Sequence, residues 1–249
     1  KANDALRVDG NELRCKVVGE GGNLGMTQLG RVEFGLNGGA TNTDFIDNAG
    51  GVDCSDHEVN IKILLNEVVQ GGDMTEKQRN QLLGSMTDEV SALVLGNNYK
   101  QTQALSLAQR RARERIAEYK RLMAALEADG KLDRALEFLP SDEQLAERIA
   151  NGQALTRAEL AVLISYSKID LKESLLKSQV PDDEYLARDM RTAFPPLLSE
   201  KFAEAMGRHR LKREIVSTQI ANDLVNHMGI TFVQRMKEST GMSAANVAG

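Results

Sequence analysis

Tryptophan is absent from the 249 residues, and all aromatic side chains together make up only 4%. That scarcity argues against an aromatic-rich β-sandwich and for a core of Leu, Ala and Met packed on helices. Cysteine is equally sparse. Cys15 and Cys54 supply neither a disulfide framework nor the paired spacing of a zinc site, so a reduced interior is expected, with the cytoplasm as the default compartment. No apolar run approaches the ~18 residues that span a bilayer. The sequence starts at Lys1 with neither a Met nor an apolar signal core, which reads as a piece of a longer chain with no membrane partner. An excess of positive charge is missing too: 31 basic against 36 acidic side chains leave a net charge of −5, which opposes general affinity for nucleic acid. The basic runs at 110–115 and 208–213 lack an aromatic stacking platform and read as solvated helix faces or subunit contacts.

What is present divides near Gly71-Gly72, because most glycines fall before it. Residues 14–19 (RCKVVG) predict a mostly buried strand that enters a Gly-rich loop at 20–25. A helix follows over 27–37, then a second extended run at 43–46, the turn Asn48-Ala49-Gly50-Gly51, and a helix opened by Ser55. Strand, loop, helix, repeated once, is the signature of an α/β sheet domain with too few strands to close. Beyond residue 72, Thr75-Glu76-Lys77-Gln78, Ser141-Asp142-Glu143-Gln144 and Thr156-Arg157-Ala158-Glu159 are capping boxes. Leu105, Ala108, Ala112, Ile116, Tyr119, Met123 and Leu126 form a narrow helical stripe, and a last long helix is predicted over 208–239. Met123, Met206, Met228 and Met236 read as core filling. The expected fold is therefore α+β to mainly α: residues 1–72 a partial Rossmann-like α/β remnant, and residues 73–249 an all-helical domain.

Two loops could carry chemistry. Glu20-Gly21-Gly22-Asn23 follows the first predicted strand, where open α/β sheets bind ligands. The glycines admit close approach to the backbone, yet they also describe a tight turn. A third fingerprint glycine would have to stand at Leu24, and no P-loop follows. Asn48-Ala49-Gly50-Gly51-Val52 runs into Ser55-Asp56-His57-Glu58, a capping box after a glycine turn. A helix end there attracts a carboxylate or phosphate, or Ser55 simply caps its helix. Although Cys54, Ser55, Asp56, His57 and Glu58 bring many reactive groups together, adjacent helical residues diverge and the zinc motif His-Glu-x-x-His is not completed. Neither a metal site nor covalent chemistry is expected, and Cys54 reads as a small buried hydrophobe.

Taken together, Lys16-Val17-Val18-Gly19-Glu20-Gly21-Gly22-Asn23 and Ile46-Asp47-Asn48-Ala49-Gly50-Gly51-Val52-Asp53-Cys54-Ser55-Asp56-His57-Glu58 resemble the later half of the cofactor domain of glutamate dehydrogenases. Gly22 for the usual Ala, Gly25 for the usual Pro, and Cys-Ser-Asp-His-Glu for Val-Ser-Tyr-x-Glu resemble the large bacterial NAD-specific branch. Residues 160–168 and 214–241 are also similar to that branch's C-terminal region. The resemblance implies that Asn23 and Asn48 lie near the nicotinamide and its ribose, with the Gly50-Gly51 backbone close by, and that Ser55 holds the α-carboxylate of glutamate. It implies NAD as cofactor, L-glutamate and 2-oxoglutarate as substrates, the rest of the parent polypeptide as partner, and a homo-oligomer. The implied reaction passes hydride from Cα of glutamate to NAD and releases 2-oxoglutarate and ammonia. The family's catalytic lysine and aspartate have no match here, so a piece without catalytic residues, inactive alone, is expected. The alternative is a helical oligomerisation or regulatory module of that large enzyme.

Overall fold

The computed structural model describes residues 4–23 and 25–249; Lys1 and the fingerprint position Leu24 lie outside them. Helices follow one another along the chain: α1 (Gln28–Leu36), α2 (Asp44–Asp47), α3 (Ala49–Gln70), α4 (Glu76–Ser85), α5 (Thr87–Arg111), α6 (Ile116–Ala128), α7 (Asp142–Ala150) and α8 (Arg157–Leu176). Two 3₁₀ segments, Val180–Asp182 and Leu186–Ala193, lead to α9 (Pro196–Lys201), α10 (Ala203–Gly207), α11 (Lys212–Met228), α12 (Phe232–Thr240) and α13 (Ala244–Ala248).

Helix α8 is the axis of this assembly. Its first half, Leu160-Ala161-Val162-Leu163-Ile164, is buried all round, and Leu171 and Leu175 extend the buried side. A helix that is apolar on every face has to be enclosed, and α1, α5, α11 and α13 pack against it. Its start is a complete capping box in which Thr156 Oγ1 accepts from the Glu159 backbone N–H and the Glu159 carboxylate accepts from the Thr156 N–H. Glu159 is fully buried, and Arg148 Nη1 reaches both its oxygens at 2.8 and 2.9 Å, which supplies the countercharge that burial demands. The boxes at Thr75 and Ser141 are formed as well. Among the described residues no helix is long and apolar enough to cross a membrane.

The expected α/β remnant is not there. Among the described residues there is no strand or sheet, only an isolated parallel bridge between Val17 and Ala40. Val18 N–H donates to Ala40 O at 3.0 Å and Ala40 N–H to Lys16 O at 2.9 Å. A single bridge cannot grow into a parallel ladder without flanking strands on a covered face, and Val17 is 68% exposed. The fold is all-helical. The second predicted strand is also a helix: Thr43 stands at the N-cap of α2, and α3 starts at Ala49, so Ser55 lies inside α3 instead of opening it. The long last helix is divided at Gly229, where φ is +98°. Leu105, Ala112, Tyr119, Met123 and Leu126 of the expected stripe are buried and Ala108 and Ile116 half-buried, yet turns at Ala112–Arg115 separate α5 from α6. Met123 and Met206 fill the core, whereas Met228 is exposed, and both cysteines are exposed.

Candidate functional site

Several helices bury an apolar face and turn an amide-rich face toward a shared cleft of about 600 Å³. On α5 that face carries Asn97, Asn98 and Gln101; on α11 it carries Gln219, Asn222 and Asn226. The spacing of three and four residues keeps each set on one side of its helix. α8 contributes Lys168 and Lys172, α2 contributes Asp44 and Phe45, and α3 contributes Val52, Asp53 and Asp56.

Asn23 and Asn48 both line this cleft, although 25 residues separate them in the chain. A buried polar network holds them together. Arg31, only 1% exposed, donates from Nη2 to Glu20 Oε2 at 2.6 Å and from Nη1 to Asn42 O at 2.9 Å. Glu20 Oε1 also accepts from Gly25 N–H at 3.0 Å, which folds the 20–25 loop back on itself. Asp47 receives Glu20 N–H at 2.9 Å and the Asn42 amide at 2.8 Å. The loop that bears Asn23 is thereby fastened to the α2–α3 junction that bears Asn48. Asn23 adopts φ +65°, a left-handed conformation that asparagine tolerates better than most residues.

Asn48 stands at the N-cap of α3, but its side chain makes no capping hydrogen bond. Its amide is therefore available to the cleft. A Cβ on Gly51 would come within 2.9 Å of Asn48 Oδ1, and one on Gly50 would touch Asn98 and Val94 at ordinary distances. Gly51 is thus small to make room for the Asn48 side chain, and Gly50 packs the start of α3 on α5. Neither glycine lines the cleft, nor does Ser55, which is exposed and donates to Gly51 O at 3.3 Å. The helix end that the sequence assigned to Ser55 belongs to Asn48, seven positions earlier.

Sequence reasoning missed Arg31 and gave Lys168 no role. Nothing in either residue's neighbours announces its burial; only the fold brings partners 11 and 67 residues away. Lys168 Nζ donates to Gln101 Oε1 at 2.7 Å, and burial pushes its amine down to about 8, opposed by the charge of Asp223. His57, which is buried, hydrogen-bonds Ala193 O through Nδ1 at 2.9 Å, while Nε2 has no hydrogen-bond partner and lies 3.7 Å from Asp53 Oδ1. Among the described residues no three His, Cys, Asp or Glu side chains converge as a metal site. The basic run at 208–213 is structural in part: Arg213 donates to Leu176 O and Ser178 O at 3.0 and 2.8 Å.

Residues 1–108 match the family described as "Bacterial NAD-glutamate dehydrogenase, catalytic domain", and residues 152–249 match "Glutamate dehydrogenase, C-terminal". The chain is 88% identical over 249 residues to the NAD-specific glutamate dehydrogenase of Pseudomonas aeruginosa, which covers 100% of this chain. It is 61% identical over 248 residues to that of Halomonas elongata, and 45% identical over 243 residues, 98% of this chain, to that of Mycobacterium tuberculosis. In each case the match spans only 15% of the relative's length. No solved structure matches the chain.

Proposed function

Because this chain belongs to the bacterial NAD-glutamate dehydrogenases, we propose that its parent protein interconverts L-glutamate and 2-oxoglutarate with NAD, and that the amide-lined cleft serves the nicotinamide and substrate end of that reaction. The observation that carries the reading is the shared lining by Asn23 and Asn48, the two residues for which the resemblance implies nicotinamide contact. A pocket of about 600 Å³ with a few convergent polar groups is of the size that small molecules and cofactor ends occupy. NAD supplies the hydride acceptor when bound. The uncapped amide of Asn48 is free to hold a carboxamide or ribose, Asn23 lines the same cleft, and the absence of a side chain at Gly51 leaves room for Asn48. Ser55, on the exposed flank of α3 beside the cleft-lining Asp56, is the proposed holder of the glutamate α-carboxylate. In this division residues 1–72 bear on the ligands, and residues 73–249 form the helical body that completes the cleft.

The parent is further proposed to be a cytoplasmic homo-oligomer. Leu95, Tyr99 and Leu107 of α5, all more than half exposed, offer apolar area for a subunit contact. In the full-length enzyme Asn48→Ala should raise KM for NAD by about tenfold, the loss of one good hydrogen bond, and Ser55→Ala should raise KM for glutamate instead. Steady-state kinetics of both variants check this; unchanged KM values would return Asn48 and Ser55 to purely local roles.

A further inference from the structure

We propose that Lys168 is the anion-binding residue of the cleft and receives a carboxylate of the amino-acid substrate; the assignment rests on the reading of the cleft as a glutamate site. Lys168 stands on α8, far in sequence from the motifs at Asn23 and Asn48, and it lines the same cavity. Its ammonium has three donors, and one goes to Gln101 at 2.7 Å. Among the described residues no carboxylate lies within 4 Å of it: Asp223 pairs with Lys100 at 3.9 Å, and Asp53 accepts from Asn97 at 2.9 Å. A half-buried cation left among amides lacks the countercharge that such burial calls for, and a ligand carboxylate provides it.

The charge balance of the cavity chooses the class of anion. Asp44, Asp53, Asp56 and Asp223 outnumber Lys100, Lys168 and Lys172, so a phosphate dianion would meet net repulsion. A zwitterion fits instead, with its carboxylate on Lys168 and its ammonium toward the acidic wall. Asn98 Oδ1 and Asn226 Oδ1 strengthen this polarity, because both are buried without a hydrogen-bond partner and are acceptors suited to an N–H of the ligand. The amine pushed down to about 8 by burial agrees with a lysine awaiting its counterion. A carboxylate beside it restores the protonated form.

The test uses the full-length enzyme with Lys168→Met and Lys168→Arg. Lys168→Met should raise KM for L-glutamate by roughly 10- to 100-fold, the loss of a charge-assisted hydrogen bond, and leave KM for NAD within about twofold; Lys168→Arg should recover part of the loss. Calorimetric titration at pH 9 with α-methyl-L-glutamate, a zwitterion with no Cα hydrogen to transfer, in the presence of NAD and in buffers of different ionisation enthalpy, should record more proton uptake by the wild type than by Lys168→Met. A folded Lys168→Met enzyme with wild-type KM for glutamate overturns the assignment, and so does equal proton uptake by the two enzymes. A rise confined to KM for NAD overturns the carboxylate in favour of a cofactor phosphate. If the wild type reduces no NAD with glutamate, the glutamate-site reading itself fails, a result separate from all of these.

Discussion

Lys168 also leaves a mark on stability, whatever its ligand. Burial holds its folded pKa at about 8, below the ordinary 10.5 of a lysine, so between those values the unfolded chain binds more protons than the folded one. Stability attributable to this group therefore rises as pH increases from about 8 to 10.5, and below pH 8 the full burial penalty is present. Lys168→Met should stabilise the chain at pH 7 by about 1–3 kcal/mol and abolish that rise. Urea unfolding at pH 7 and at pH 10 checks both; a methionine variant less stable than wild type at pH 7 would show that the Gln101 hydrogen bond outweighs desolvation. Such a residue cannot be read from the sequence. Asn23 and Asn48 stand out through the glycines beside them, and both line the cleft, although Gly50 and Gly51 prove helical. Lys168 follows Ser165-Tyr166-Ser167 in an ordinary helical stretch, and only tertiary packing tells that its position faces a cleft.

Helix ends were the most legible elements, and the failures have a common cause. The boxes at Thr75, Ser141 and Thr156 form because each hydroxyl residue has extended backbone and its N3 partner can reach back. Ser55-Asp56-His57-Glu58 has the same letters, but residues 49–54 are already helical, so no free N–H is left for Ser55 to cap. Gly50 and Gly51, read as a turn, lie inside α3, where a Cβ on Gly51 would come within 2.9 Å of Asn48 Oδ1, a demand that local propensity does not include. The predicted strand at 14–19 failed because pairing is a property of neighbours, and Val17 finds only Ala40. Glycine now has opposite meanings in two helical settings. Gly229, at φ +98° and ψ 161° after α11, occupies a region nearly closed to other residues, with nothing within 4 Å of an added Cβ. Gly229→Ala should destabilise by about 1–3 kcal/mol from backbone strain alone, whereas Gly96→Ala, inside α5 and equally unobstructed, should stabilise by about 0.5–1 kcal/mol. Thermal unfolding of the pair gives the signs; equal shifts would remove the conformational explanation.

At the scale of the whole chain, the division expected near residue 72 is crossed by the core. Ile46, Ile61, Leu64 and Leu65, each at most 2% exposed, belong to the same hydrophobic cluster as Leu105, Leu160, Leu163 and Val216, and α3 packs on α5. The cleft crosses it too, since one wall comes from α2 and α3 and the others from α5, α8 and α11. Burial of one aliphatic side chain contributes about 1.5–3 kcal/mol, so deletion of residues 1–72 removes on the order of 6–12 kcal/mol from these four alone and uncovers their partners on α5. That is comparable to the entire stability of an ordinary domain. Residues 73–249 expressed alone should therefore unfold at a clearly lower urea concentration than residues 1–249, and should bind a hydrophobic dye that the longer chain does not. The three intact capping boxes should preserve much of the helical circular dichroism, because helix starts are local while the core is shared. Equal unfolding midpoints for the two chains would mean that α3 rests on a helical body already complete without it, and the cleft would then be a seam between separate units instead of a site built by one.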